Sequence, residues 1–409
     1  MVLNLIKNTV LLFVSVQLIF SIINNSIYPS TKPSKINNTK KISVGANQLD
    51  LYLPYLKNKS IGVVANQTSV IFKNNSEGKY THLVDSLVDL GITIKKVFAP
   101  EHGYRGLADA GEYVKDGFDV KTGLPIVSLY GENRKPSPEI LKDIDLIIFD
   151  IQGVGARFYT FISTLHYMME TCAAMNIPIL ILDRPNPNAH YVDGPVLDMK
   201  YKSFVGMHPV PIAHGMTLGE FALMINGEGW LEKNLKCDIT VVQILNYDRK
   251  LIYELPINPS PNLPNKKAIN LYPSLCLFEG TNVSIGRGTS MQFQIYGSPY
   301  LNKKDTQFKF TPIPNLGAKK PKHQGNICYG KNLQNSIFLN QINLRWIIDA
   351  YKETDNKSDF FNPFFNKLAG QETLKEQIKN GVSINKIKKS WEPELKIFKS
   401  IRSNYLIYD

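Results

Sequence analysis

The chain has 409 residues, 43% hydrophobic and 20% charged, an ordinary globular balance and enough length for two domains with sizeable cores. Its formal charge of +12 comes from lysines scattered along the sequence, and the basic clusters at 40–41, 319–320 and 386–389 are short. No zinc-finger spacing and no aromatic–basic ribonucleoprotein signature accompanies that charge, which argues against nucleic acid as a partner.

Residues 9–23 form a mostly apolar run behind a single cation, Lys7, and a polar tract follows directly. The run has the length of a signal-peptide core and falls short of the ~20 apolar residues of a membrane span. Residues 1–30 are therefore expected to be a signal peptide or N-terminal anchor, 31–42 a linker, and the mature protein exported to the periplasm or beyond. There is no clean Ala-x-Ala cleavage site and no Cys near position 20 to take a lipid. Membrane contact is expected only if this segment stays uncleaved. The cysteines (Cys172, Cys237, Cys276, Cys328) are widely spaced without a Cys-x-x-Cys pair, so no metal site is expected. Cys172 lies in an apolar helical run and reads as core packing, while an oxidising compartment would permit a disulfide without choosing its pairing.

From residue 43 a rhythm begins. Apolar runs at 60–65, 94–99, 126–129, 146–149 and 179–182 alternate with helical stretches at 81–90, 138–142 and 158–175. Strands that are apolar throughout and separated by helices predict a parallel sheet covered on both faces. The five runs end in Asn66-Gln67, Pro100-Glu-His-Gly103, Tyr130-Gly-Glu132, Asp150-Ile-Gln152 and Asp183-Arg-Pro-Asn186. Ligands of open parallel sheets bind at such carboxyl ends, so together they outline a site. After about residue 240, Pro256, Pro259, Pro261 and Pro264 mark a change of pattern, and helical periodicity follows at 337–351, 373–380 and 392–405. The expected architecture is a parallel-sheet α/β domain over 43–238 and a second α/β domain over 239–409 that closes over it.

The segment Asp150-Ile-Gln-Gly153-Val-Gly155-Ala-Arg157-Phe158 sits where a dinucleotide fingerprint would, but Phe158 replaces the third glycine. A tight strand-to-helix turn is the better reading, and no cofactor is expected. There is no Gly-x-Ser-x-Gly elbow and no P-loop. Glu101, held on a stiff turn between Pro100 and Gly103, suits a general acid, or else hydrogen-bonds the turn's own backbone. Glu279, in Phe278-Glu-Gly-Thr281, is a second carboxylate in apolar surroundings, or a loop anchor. Glycosidases use such a pair across the scissile bond. Arg157, Arg184 and Arg287 could grip an anionic substituent or form ordinary ion pairs, for instance with Asp150 or Asp183. His102 and His214 could orient a carboxylate or contact sugar, or be structural.

Taken together these motifs resemble the exo-β-N-acetylmuramidases, glycoside hydrolase family 171, formerly a domain of unknown function. The resemblance runs from about Val44 to Tyr408. It rests on Ala99-Pro-Glu-His-Gly103, Phe149-Asp-Ile-Gln152, Arg157-Phe-Tyr-Thr160 and Leu182-Asp-Arg-Pro-Asn-Pro-Asn188. His214-Gly-Met-Thr217, Pro259-Ser-Pro-Asn-Leu-Pro264, Phe278-Glu-Gly-Thr281 and Gly286-Arg-Gly-Thr289 follow in order. It implies a Rossmann-like parallel-sheet domain followed by a smaller C-terminal α/β domain, with the active-site cleft between them. It also implies release of terminal N-acetylmuramic acid from the non-reducing ends of peptidoglycan fragments, with muropeptides or disaccharides as partners. The family's catalytic glutamate maps to Glu101. With it go Glu279 or Asp150 for charge stabilisation or water activation, and one of the three arginines for the lactyl carboxylate. Sugar contacts are implied for His102, Gln152, Arg157, Arg184, Asn186, His214, Asn262 and Arg287. Where the family pattern has Asp, Gly and Pro, this chain has Gly153, Ala189 and Met291. Gly153 opens a rival reading, a homologue that binds wall fragments without turning them over.

Overall fold

A strand that is apolar at every position has to be covered on both faces, and a parallel sheet between helix layers meets that requirement. In the computed structural model the described residues are 41–73, 78–106, 112, 116–301 and 308–409; the apolar run at 9–23 and the linker up to residue 40 lie outside them. In chain order the first strands are β1 (Ile61–Ala65), β2 (Val70–Phe72), β3 (Tyr80–His82), β4 (Ile94–Ala99), β5 (Gly117–Phe118) and β6 (Pro125–Ser128). Then come β7 (Leu146–Asp150), β8 (Ile179–Leu182), β9 (Asp193–Val196), β10 (Pro211–Ala213) and β11 (Ile239–Val242). Seven of them form one sheet in the order β11-β8-β7-β1-β4-β6-β5, parallel except for the β5–β6 edge. Every residue of β1, β7 and β8 is buried.

All five expected runs are strands of this sheet. β11 is its far edge and pairs with β8, so the sheet reaches past the boundary expected at 238. The helix expected at 158–175 spans Phe161–Met175, because residues before it form a turn with Thr160 at the N-cap. It ends at Asn176, whose left-handed backbone (φ 56°) caps the last turn. Helix Leu218–Gly227 starts with a capping box in which Thr217 and Glu220 bond each other's backbone.

The C-terminal part carries helix Lys266–Leu275, the 3₁₀ turn Cys276–Gly280 and a small antiparallel sheet. The sheet's strands are β12 (Ile295–Ser298), β13 (Phe308–Phe310) and β14 (Cys328–Asn332), in the order β12-β14-β13. Helices Arg345–Glu353, Phe364–Ala369, Thr373–Lys379 and Ile384–Ser403 complete it. The helix expected at 337–351 begins only at Arg345. Its first residues are drawn elsewhere: Leu339 exchanges hydrogen bonds with the Asn270 side chain, and the Ile342 N–H donates to Asp193. The cysteines are all buried free thiols, with Cys172 in the core as expected.

One side chain ties the two parts together. Arg157 is fully buried, and among the described residues no carboxylate pairs with it. Its Nη1 donates to the Pro195 and Val210 carbonyls at 2.8 Å each, and its Nη2 to the Leu368 carbonyl at 2.7 Å. Burial pushes its guanidinium down to about 9, which still leaves it charged at neutral pH. Gly370 makes room for it: a β-carbon there would lie 2.7 Å from Nη2. Replacing Arg157 with Met strands three buried acceptors, each costing ~1–3 kcal/mol, offset in part by no longer burying a charge. A loss of about 3 kcal/mol in denaturant titration is expected, with Arg157→Lys recovering only part. An unshifted midpoint in the Met variant would remove Arg157 from this role.

Candidate active site

The carboxyl ends of β4 and β6, with residues 158–160 of the turn before helix Phe161–Met175, open on a cavity of about 1020 Å³. Its other wall comes from the C-terminal part: Asn262, Tyr272, Glu279, Arg287, the 317–322 loop and helix Phe364–Ala369. The sheet thus delivers a site at strand ends, and the C-terminal part closes it.

Glu101 lies two residues beyond β4. Pro100 stiffens the turn and His102 takes a left-handed φ of 72°, uncommon for a residue with a side chain. The turn is closed by the Gly103 N–H donating to the Pro100 carbonyl at 2.9 Å. Glu101 accepts a 2.6 Å hydrogen bond from Thr160 Oγ1, and Tyr130, just past β6, bonds it as well. Two strand ends and a helix N-cap residue therefore converge on one carboxyl group. The Tyr159 hydroxyl donates to the Pro259 carbonyl at 2.8 Å, and its ring packs edge-on against Tyr272, making a rigid aromatic wall.

Glu279 stands in the Cys276–Gly280 turn on the facing wall and pairs with Arg287, whose Nη2 and Nε lie 2.5 and 3.1 Å from Oε1. The Arg287 guanidinium lies 5.2 Å from the Phe293 ring centre. Beneath this pair the Lys322 ammonium donates to the carbonyls of Phe278, Thr281 and Val283. Burial pushes its amine down to about 8. Asn262 donates to the Gly317 carbonyl at 2.7 Å, while its buried amide oxygen has no partner among the described residues.

Of the residues expected at the site, the cavity holds Glu101, His102, Asn262, Glu279 and Arg287. The others are buried outside its lining. Asp150 is wholly buried in a two-pronged ion pair with Arg184, at 2.6 and 2.9 Å. Gln152 donates to the Gly153 and Pro185 carbonyls. Arg157 is spent on backbone as described above, and Asn186 donates to the Met216 carbonyl. Burial holds His214 down to about 3, and its neutral ring accepts from the Met216 N–H. The sequence showed no individual role for Thr160, Tyr130 or Arg134, all of which line the cavity. Thr160 and Tyr130 lay within segments already singled out, whereas Arg134 carried no signal of its own. Among the described residues no group of three or more His, Cys, Asp or Glu side chains could hold a metal ion.

Gly153 is not part of the cavity lining. It borders a small buried hollow with Asn186, His214 and Leu218, and a β-carbon there would sit 3.2 Å from Leu218 Cγ.

The family models for the N- and C-terminal parts of "Exo-beta-N-acetylmuramidase NamZ" match residues 61–267 and 270–408. A curated relative from Bacillus subtilis (strain 168), the "Peptidoglycan beta-N-acetylmuramidase NamZ", is 36% identical over 98% of this chain and its own full length. A solved DUF1343 family protein from Bacteroides fragilis NCTC 9343 superposes with a TM-score of 0.82 at 46% identity, covering 90% of this chain and 99% of that one. A second protein of that family from the same strain gives 0.77 at 26% identity, with the same coverages.

Asp150 tests the division between cavity and support. Asp150→Asn strands the buried Arg184 charge and is expected to cost ~3–5 kcal/mol of stability. Adding Arg184→Met should restore part of it. Turnover per folded molecule should stay near the unmodified level in the double variant; a specific collapse of kcat at unchanged stability would return Asp150 to the chemistry.

Proposed function

The chain belongs to the exo-β-N-acetylmuramidase family of glycoside hydrolases, and on that premise we propose its reaction. It releases terminal N-acetylmuramic acid from the non-reducing ends of peptidoglycan fragments, with Glu101 as the general acid. The observation that carries this reading is that Glu101 and Glu279 line one cavity but have different neighbours. Glu279 is engaged by a guanidinium, a donor that does not give up its proton. Glu101 is held by the hydroxyls of Thr160 and Tyr130, which both donate and accept and so serve the group in either protonation state.

In this mechanism Glu101 protonates the glycosidic oxygen as positive charge develops on the sugar ring. Glu279, fixed by Arg287, stabilises that charge or activates water. The substrate's own acetamido group can take the nucleophile's place, in which case a single protein carboxyl group suffices. Peptidoglycan-derived muropeptides or disaccharides are the proposed partners. The aromatic wall of Tyr159 and Tyr272 offers sugar rings an apolar face. The rival reading, a homologue that binds wall fragments without turnover, has its best support in Gly153, which borders the buried hollow and not the cavity. Export is proposed as well, on the apolar run at 9–23 and the polar tract behind it.

Two outcomes are expected. Glu101→Gln should lower kcat by ~10²–10⁴-fold while binding survives, and the loss should shrink with a nitrophenyl leaving group that needs little protonation. Glu279→Gln should lower kcat without that dependence on leaving group. Near-native turnover of a natural disaccharide by Glu101→Gln would end the assignment. In the native host, fractionation should place the mature protein outside the cytoplasm; full-length protein in the cytosol would refute export.

A further inference from the structure

N-acetylmuramic acid differs from N-acetylglucosamine by one lactyl ether ending in a carboxylate, so an enzyme that separates them needs a cation within reach of that group. The cavity is lined by Arg134, Arg287, Lys319, Lys320, Lys322 and Lys367. Arg287 is paired with Glu279, Lys319 with Glu112, and the Lys322 ammonium is spent on three carbonyls. Lys320 and Lys367 are point charges from the C-terminal part, without the planar fork that matches a carboxylate.

Arg134 is different. Its guanidinium lies 4.5 Å from the Phe204 ring centre and 5.9 Å from that of Tyr130. Tyr130 bonds Glu101, so the fork stands one aromatic ring away from the proton donor. The platform is built for this. Gly131, at φ 78°, turns the chain back after β6 so that Arg134 returns over Tyr130. Phe204 is stacked by Tyr167 (6.3 Å, 10°), and its carbonyl accepts from Ser163 on the helix that Thr160 caps. Stacking restrains a side chain that would otherwise lose rotamer freedom on binding, and it leaves the in-plane N–H groups pointing outward. No ion pair engages Arg134 among the described residues, which leaves the fork available to a ligand.

Resting on the muramidase reading, we propose that Arg134 is a specificity-determining residue that takes the lactyl carboxylate in a two-pronged, charge-assisted hydrogen bond. The arginines at 157 and 184, expected to share that task, are committed elsewhere.

The test is calorimetric binding of N-acetylmuramic acid and its uncharged lactyl amide to the unmodified protein, Arg134→Met and Arg134→Lys. A charged two-pronged contact should favour the acid by roughly 10–100-fold in the unmodified protein. Arg134→Met should bring the ratio to about one by losing affinity for the acid alone, and Arg134→Lys should fall between. Unchanged amide affinity shows that the variants are folded. A preserved ratio in Arg134→Met, an equal loss for both ligands, or no preference in the unmodified protein would each overturn the inference. Because these are affinities, they do not depend on turnover. A protein that prefers the acid through Arg134 yet cleaves no muramide would refute the hydrolase reading and leave Arg134 standing.

Discussion

The arrangement of the cavity depends on a buried guanidinium that no carboxylate pairs with among the described residues. Arg157 binds the backbone ahead of β10, the backbone of β9 and the Leu368 carbonyl, so it joins the two parts of the chain through their least variable groups. Three residues later Thr160 bonds Glu101. On the other side, helix Phe364–Ala369, which offers Leu368, packs against the turn that carries Glu279. The Asn362 N–H donates to the Gly280 carbonyl at 3.0 Å, and a β-carbon on Gly280 would meet Phe365 Cα at 2.4 Å. Arg157 thus fixes one carboxyl-bearing turn relative to the other, although it touches neither. Catalysis by two groups across a scissile bond requires that spacing to be held.

Below this level the polar strand ends divide into two populations. Those of β4 and β6 aim at the cavity. Those of β7 and β8 are buried and committed inside the fold, and Gln67 beyond β1 donates to the Asn258 and Pro259 carbonyls. Asp150 pairs with Arg184, and Asp183 accepts from the Thr217, Gly219 and Tyr408 donors that seat helix Leu218–Gly227. Buried polar groups persist only when satisfied, so each such network fixes a geometry that apolar packing would leave loose. The crevice between the ends of β1 and β7, where an open sheet ordinarily takes its ligand, is filled by the Asp150–Arg184 pair and the Gln152 amide. The usable opening is displaced toward β4 and β6 for that reason.

Much of this was legible in the sequence, and the limits have a physical cause. Short, mostly apolar runs bounded by turn residues read as covered strands, and all five lie in the sheet. Glu101 was recognisable because a carboxyl group between Pro100 and Gly103 is constrained by covalent geometry alone. Asp150, Gln152, Arg157, Arg184, Asn186 and His214 share motifs with the cavity residues, yet motif and spacing do not show which way a side chain points. A buried hub and a substrate contact are written in the same letters. Arg134 was invisible for the opposite reason. Its neighbour Phe204 is seventy residues away, and its meaning arises only when Gly131 folds it back onto Tyr130.

The charge of the chain makes the same point. A formal +12 spread over scattered lysines says little about a partner, because exposed charges are screened within about 8–10 Å. Inside the cavity, six cations face the three carboxylates Glu101, Glu112 and Glu279, and low-dielectric walls weaken that screening. Two of the cations are cancelled by Glu279 and Glu112, and a third is held against backbone carbonyls. What remains is a local positive excess around the Glu101 carboxyl group. Such a field favours a ligand that carries its own negative charge. Two chemically identical side chains thus have different surroundings in one cavity, a guanidinium at Glu279 and hydroxyls at Glu101.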